Sequence, residues 1–135
     1  MRPAPPDHRD DDIRVAALLV RVARADGDYS AAEQGLIDTA LTALLGVAPA
    51  QATALREAGE ELDRVTGDTV HLTRRVKDRI ALADRPALLR AMWRIILSDN
   101  ARHEEEDGFM RLVTNLLGLA DRDSALARQD VQVGR

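Results

Sequence analysis

Residues 25–33 read Ala-Asp-Gly-Asp-Tyr-Ser-Ala-Ala-Glu, with one apolar helical stretch ending just before them and another starting inside them. The construction returns at 98–106 as Ser-Asp-Asn-Ala-Arg-His-Glu-Glu-Glu. Asp26 and Asp99 are 73 residues apart, as are Glu33 and Glu106. The helices that follow also end alike, Leu44-Leu-Gly-Val47 answering Leu116-Leu-Gly-Leu119. Two helix hairpins with matched apolar stripes can bury each other. The expected fold is therefore all-α, a single bundle of six to seven helices. Helices one–two and five–six form an internal repeat, with helices three and four as the crossover.

The intervening segments read the same way. Asp10, Asp11 and Asp12 suit the start of a first helix, where the dipole favours negative charge. That helix runs from about 12 to 25, with a stripe of Ile13, Ala16, Ala17, Val20 and Ala23. Ser30 and Glu33 form a capping box for helix two. Leu36, Ile37, Ala40, Leu41, Leu44 and Leu45 are its buried set, and Gly46 stops it. Pro49 opens helix three, whose polar, alanine-rich sequence with Leu55 and Leu62 as large anchors places it on the outside. Asp68 caps helix four at about 69–82, which carries the basic cluster Arg74, Arg75, Lys77 and Arg79, read as a solvated face. Helix five, about 85–98, is apolar nearly all round at its end, so it is expected to be the most buried, with Trp93 and Leu44 in the core. Helix six covers about 103–117, Gly118 ends it, and a short seventh covers 121–129. A flexible segment is expected over 1–11, the helical domain over 12–129 and a flexible tail over 130–135.

Composition narrows the function classes. Tyr29, Trp93 and Phe109 are the only aromatic residues, so the core is aliphatic. With no cysteine, disulfides and thiolate chemistry are excluded. A net charge of −4 gives no concentrated basic face for nucleic acid. No apolar stretch reaches the roughly 18 residues of a membrane span, and the N-terminus lacks the apolar run of a signal peptide, so an integral membrane protein is not expected and a cytoplasmic location is. No nucleophile elbow, histidine motif or glycine-rich phosphate loop is present.

The chemistry concentrates in the repeated turn. Asp26 to Glu33 matches the second half of an EF-hand loop, but the first and third ligand positions would be Val22 and Arg24, so a normal EF-hand is excluded. Asp26, Asp28 and Glu33 remain hard oxygen ligands within one turn, with Asp99 and Glu106 in register. These five are the candidate metal ligands, for Ca²⁺ or Mg²⁺. The competing reading is architectural: Asp26-Gly27 makes a tight turn, Ser30 caps, and Glu104, Glu105, Glu106 and Asp107 suit a helix N-terminus. His103 has no metal-ligating His or Cys near it in sequence and reads as an N-cap substitute.

Taken together, Ala25 to Glu33, the echo from Ser98-Asp99 to Glu106 and the Leu-Leu-Gly endings resemble the TerB-like tellurite-resistance family over about residues 12–128. The resemblance implies an all-helical bundle, a cytosolic stress-associated protein and no established enzymatic activity. Members are linked to resistance to tellurite and other insults, and related modules occur beside chaperone and membrane-associated domains. The family's acidic motif residues would carry over to Asp26, Asp28, Glu33, Asp99 and Glu106. Asn100 stands where the second motif has glycine, and Ala101 where an acidic residue is common. Three functions follow as expectations: a non-enzymatic interaction or scaffold module for a protein partner, under divalent-ion control; a metal-dependent enzyme using the acidic cluster; or a structural oligomerisation module, such as a homodimer.

Overall fold

The structure, a computed structural model, describes residues 8–25, 27–99 and 104–134, without the side chains of Asp99, Glu104, Glu105 and Glu106. Seven α-helices follow one another: α1 Arg9–Arg24, α2 Ala31–Leu45, α3 Pro49–Val65, α4 Thr69–Arg79, α5 Arg85–Ile96, α6 Glu104–Leu116 and α7 Asp121–Gln132. Short 3₁₀ turns lie at Leu82–Asp84 and Leu97–Asp99, and no strand occurs among the described residues. Arg9, Asp10 and Asp11 are helical rather than part of a flexible leader, and α7 runs three residues past its expected end.

α5 is heavily buried as expected, but the helix in the middle is α1. Val15-Ala-Ala-Leu-Leu-Val20 is fully buried at every position, and Val22 and Ala23 join it. Six consecutive apolar residues cover more than one full turn, so this helix has no solvent side there. It is enclosed by α3, α4, α2 and α5. Each fully buried leucine in this run contributes roughly 1.5–3 kcal/mol of transfer free energy. Around it, α5 supplies Leu88, Leu89, Met92, Trp93, Ile95 and Ile96, and packs most extensively on α7. Trp93 is in the core as expected, whereas Leu44 is only half-buried at its edge.

α3 lies on the outside as expected, with only Ala52, Leu55 and Gly59 buried, yet it is more than a cover. It makes the most extensive of all helix contacts, against α1. The reason is size rather than hydrophobicity: Ala52, Leu55 and Gly59 are buried, and Gly59 sits directly on the backbone of Ala16 and Ala17. A helix can present a polar outer surface and still approach closely through small residues. Between α2 and α3 the chain bends by 114°, and no single described helix is long and apolar enough to cross a membrane. Both helices that end in Leu-Leu-Gly stop at a left-handed glycine, Gly46 at φ 67° and Gly118 at φ 76°.

The acidic start of α1 and the basic cluster of α4 answer each other. Arg79 Nε lies 2.6 Å from Asp12 Oδ1 and Arg75 Nη2 lies 2.9 Å from Asp11 Oδ1, while Arg74 and Lys77 remain exposed. The hydrogen bond to Asp11, then the charge of Asp11, raise the Arg75 pKa. Arg85 fastens the far end of the bundle, donating to the carbonyls of Lys77, Ile80 and Leu117 at 3.0–3.2 Å and so serving the C-terminal ends of α4 and α6.

Candidate functional site: the acidic turn and its clamp

The turn between α1 and α2 is built as its residues demand. Gly27 takes φ 84°, and Ser30 is extended at φ −90°, ψ 164°. Glu33 N donates to Ser30 Oγ at 3.1 Å, and Ser30 N donates to Glu33 Oε1 at 3.0 Å, completing the capping box. Glu33 is buried, with 5 % of its surface exposed. Asp28 is exposed and has an interaction of its own.

The residue at the tip of the motif faces the protein. Tyr29 is half-buried, and its hydroxyl donates to Glu60 Oε2 on α3 at 2.5 Å. Burial, then the hydrogen bond to Glu60, push the Tyr29 pKa well above that of free tyrosine. From Glu60 the chain of contacts runs both ways. On one side, Arg56 Nη1 donates to Glu60 Oε2 at 2.8 Å and Arg56 Nε to Asp38 Oδ1 on α2 at 2.6 Å, while Thr53 donates to Asp38 Oδ2 at 2.9 Å. Burial works against the Arg56 charge, but hydrogen bonds to Asp38 and Glu60 outweigh it, so its pKa is raised. On the other side, the Arg24 guanidinium lies 5.1 Å from the Tyr29 ring centroid, a cation–π distance. Arg24 Nη1 reaches Asp63 Oδ2 at 2.9 Å, and Arg21 Nε reaches Asp63 Oδ1 at 2.7 Å. Arg21 also donates to Thr69 Oγ1 at 3.0 Å and to the Thr66 carbonyl, tying in the start of α4.

One polar face of α3, Arg56-Glu60-Asp63, thus clamps the turn to α1, α2 and α4. The sequence carried the signal at i, i+4 and i+7, but a charged helix face reads as solvated until its partners on other helices are known.

The five candidate ligands are not assembled by what is described. Asp26 lies outside the described residues, as do the side chains of Asp99 and Glu106. Asn100, Ala101 and His103 lie outside them too. Asp28 and Glu33 are the described pair, and Glu33 spends an oxygen on the Ser30 N–H. Among the described residues no group of three or more His, Asp or Glu side chains is placed to hold a metal ion. The EF-hand positions are also taken: Val22 is buried in the core and Arg24 is held by Asp63. The capping geometry accounts for Glu33.

A seven-helix bundle around one buried helix, with a capped acidic turn between its first two helices, defines an all-α, TerB-type class of domain. The family model for tellurite resistance protein TerB matches residues 12–129, and the chain belongs to that family. Searches of curated proteins and of solved structures each find no match.

Proposed function

We propose that the chain is a non-enzymatic interaction module of the TerB family, working inside the cell, and that a protein partner docks on the outer face of α2. The observation that carries this reading is the chemistry of that face. Its exposed residues are Ala31, Ala32, Gly35, Thr39 and Ala43, all uncharged. The helix has two acidic residues, and both are committed internally, Glu33 to the cap and Asp38 to Arg56 and Thr53. In a chain that is 31 % charged, a helix with no ionisable group on its solvent side departs from an ordinary surface. Depletion of charge marks the centre of an interface, and small residues let a partner helix come close. Half-buried Leu36 and Leu44 flank the face, and a groove of about 450 Å³ lined by Thr39, Ala43, Pro49 and Thr53 adjoins it.

The enzyme reading needs titratable groups converging in a concave site. The groups with shifted pKa values, Tyr29, Arg56 and Arg75, each take part in a contact with another element of the bundle, which supports an architectural role for them. Divalent-ion control at the acidic turns is a separable addition to the module, tested by the ion titration below. For the α2 face, a photo-reactive side chain placed at Ala43 should give one discrete crosslinked species in host cells, and the same group at exposed Arg74 of α4 should not. Equal crosslinking from both positions, or none from Ala43, refutes the assignment of the face.

A further inference from the structure

The groove beside the α2 face has a chemistry of its own. It lies between α2 and the start of α3, has a volume of about 450 Å³, and is lined by Asp38, Thr39, Thr42, Ala43, Pro49 and Thr53. Thr39, Ala43 and Pro49 are exposed, so a partner can reach it. The volume falls within the roughly 300–1,000 Å³ of ligand pockets and has room for one long side chain. Thr39 and Ala43 form part of its wall, so a longer side chain at either position takes that room itself.

Its side chains offer acceptors and no spare donor. Each threonine hydroxyl spends its hydrogen inward. Thr39 Oγ1 donates to the Gly35 carbonyl at 3.0 Å, Thr42 Oγ1 to the Asp38 carbonyl at 3.0 Å, and Thr53 Oγ1 to Asp38 Oδ2 at 2.9 Å. What such a hydroxyl has left is lone pairs, which accept. Pro49 brings no backbone N–H. Charge points the same way. Among the described residues Asp38 is the one charged group in the lining, and α2 has no Lys, Arg or His. Arg56 is outside the lining and bonds both Asp38 and Glu60, so one guanidinium serves two carboxylates and the trio keeps a negative charge. The occupant that fits therefore brings donors and a positive charge. A lysine has an apolar stem to lay on Ala43 and Pro49, and an ammonium with three donors and no acceptor. Arginine fits less well, because its flat fork calls for two free parallel oxygens. Both Asp38 oxygens are taken, Oδ1 by Arg56 and Oδ2 by Thr53.

We propose that this groove takes a lysine side chain of the protein partner, its ammonium among the threonine oxygens beside Asp38. The inference rests on the α2 face as the docking surface and adds the chemistry of what docks there. Discrete crosslinking from Ala43 without lysine binding would leave the face standing and remove the lysine. Lysine binding in the groove without that crosslinking would uphold the groove and remove the face.

The test titrates the full chain with N-acetyl-lysine-N-methylamide and follows the backbone amides of Thr39, Ala43 and Thr53 by NMR. Saturable shifts at these amides with a Kd of about 1 mM are expected for a ligand of this size. The norleucine counterpart keeps the four-carbon stem and lacks the ammonium, so it should bind at least about tenfold more weakly. The arginine counterpart should also bind more weakly than lysine. The double variant Thr39→Val with Thr42→Val keeps the shape of both side chains and removes two acceptor oxygens. It should melt close to the wild type and weaken the lysine probe by about tenfold, whereas a merely apolar groove would bind norleucine as well as before or better. Equal binding of the lysine and norleucine probes, tighter binding of arginine than of lysine, or undiminished lysine binding by the double variant overturns the proposal. So does a lysine titration that leaves the three amides unmoved.

Discussion

Alanine substituted for glycine in α3 and in α2 should act in opposite directions. At position 59 a new Cβ would stand 2.8 Å from Ala16 Cβ, 2.8 Å from Ala17 N and 2.9 Å from Ala16 C. Carbon–carbon contacts are comfortable at about 3.5–4.0 Å, and two of these three neighbours are backbone atoms of the central helix, which cannot rotate aside. Overpacking costs about 1–3 kcal/mol, and a backbone obstacle puts Gly59→Ala toward the upper end. Against this stands a gain of about 1 kcal/mol in helix propensity. The net expectation is a loss of about 1–2 kcal/mol. Gly35 on α2 is exposed, and a Cβ there meets nothing within 4 Å, so Gly35→Ala should keep its gain of about 0.5–1 kcal/mol. Urea and thermal denaturation of the two variants beside the wild type measure the difference, with roughly 3–5 °C of Tm per kcal/mol for a chain of this size. If Gly59→Ala raises the Tm as Gly35→Ala does, α1 and α3 are not in backbone contact and the central position of α1 is wrong.

Three further outcomes follow from the clamp and the turn. Tyr29→Phe removes the bond to Glu60 while Arg56 still holds that carboxylate, so urea unfolding should show a loss of about 1–2 kcal/mol. Because folding raises the Tyr29 pKa above its unfolded value of 10.0, the wild type should hold this contribution below pH 10 and lose it as pH rises from there, and the Phe variant should lack that alkaline component. Asp63→Ala strands Arg21 and Arg24 together and should cost about 2–4 kcal/mol in the same assay, a value near zero meaning that the clamp is only a surface contact. In the ion titration, the capped-turn account expects Ca²⁺ or Mg²⁺ at millimolar levels to leave the Tm where sodium chloride of equal ionic strength puts it. An ion bound at about 100 Kd would instead add roughly 2.7 kcal/mol, lost in the double variant Asp26→Asn with Asp28→Asn.

Local features of the fold were legible because neighbours in sequence decide them. Ser30 and Glu33, Gly46, Pro49 and Asp68 each act within four residues, and each does in the structure what its chemistry suggests. Burial was read less well where it depends on partners far along the chain. The stripe read for α1 was only part of its buried surface: Asp63 pairs with Arg21 and Arg24, a carbonyl of α3 accepts from Arg24, and the helix sits at the centre. In α3 the large anchors Leu55 and Leu62 were legible, whereas Gly59, which permits its closest contact, shows its role only against Ala16 and Ala17. Tyr29 read as the hydrophobic position of a loop, whereas its hydroxyl reaches Glu60, 31 residues away in sequence. Of the candidate ligands, Glu33 was legible in both its guises, and the geometry supports the cap.

The central claim, a module that works through the α2 face, is tested most directly by the size of the complex the chain forms. Tagged wild-type chain from host extract, run on size exclusion, should elute well above its own 14.8 kDa. The variant with Thr39→Glu and Ala43→Glu adds two charges to that face at exposed positions, where substitution costs within about 0.5 kcal/mol. It should melt like the wild type and elute at the monomer position. A wild type that elutes as a monomer, or a folded variant that keeps the larger complex, contradicts the account.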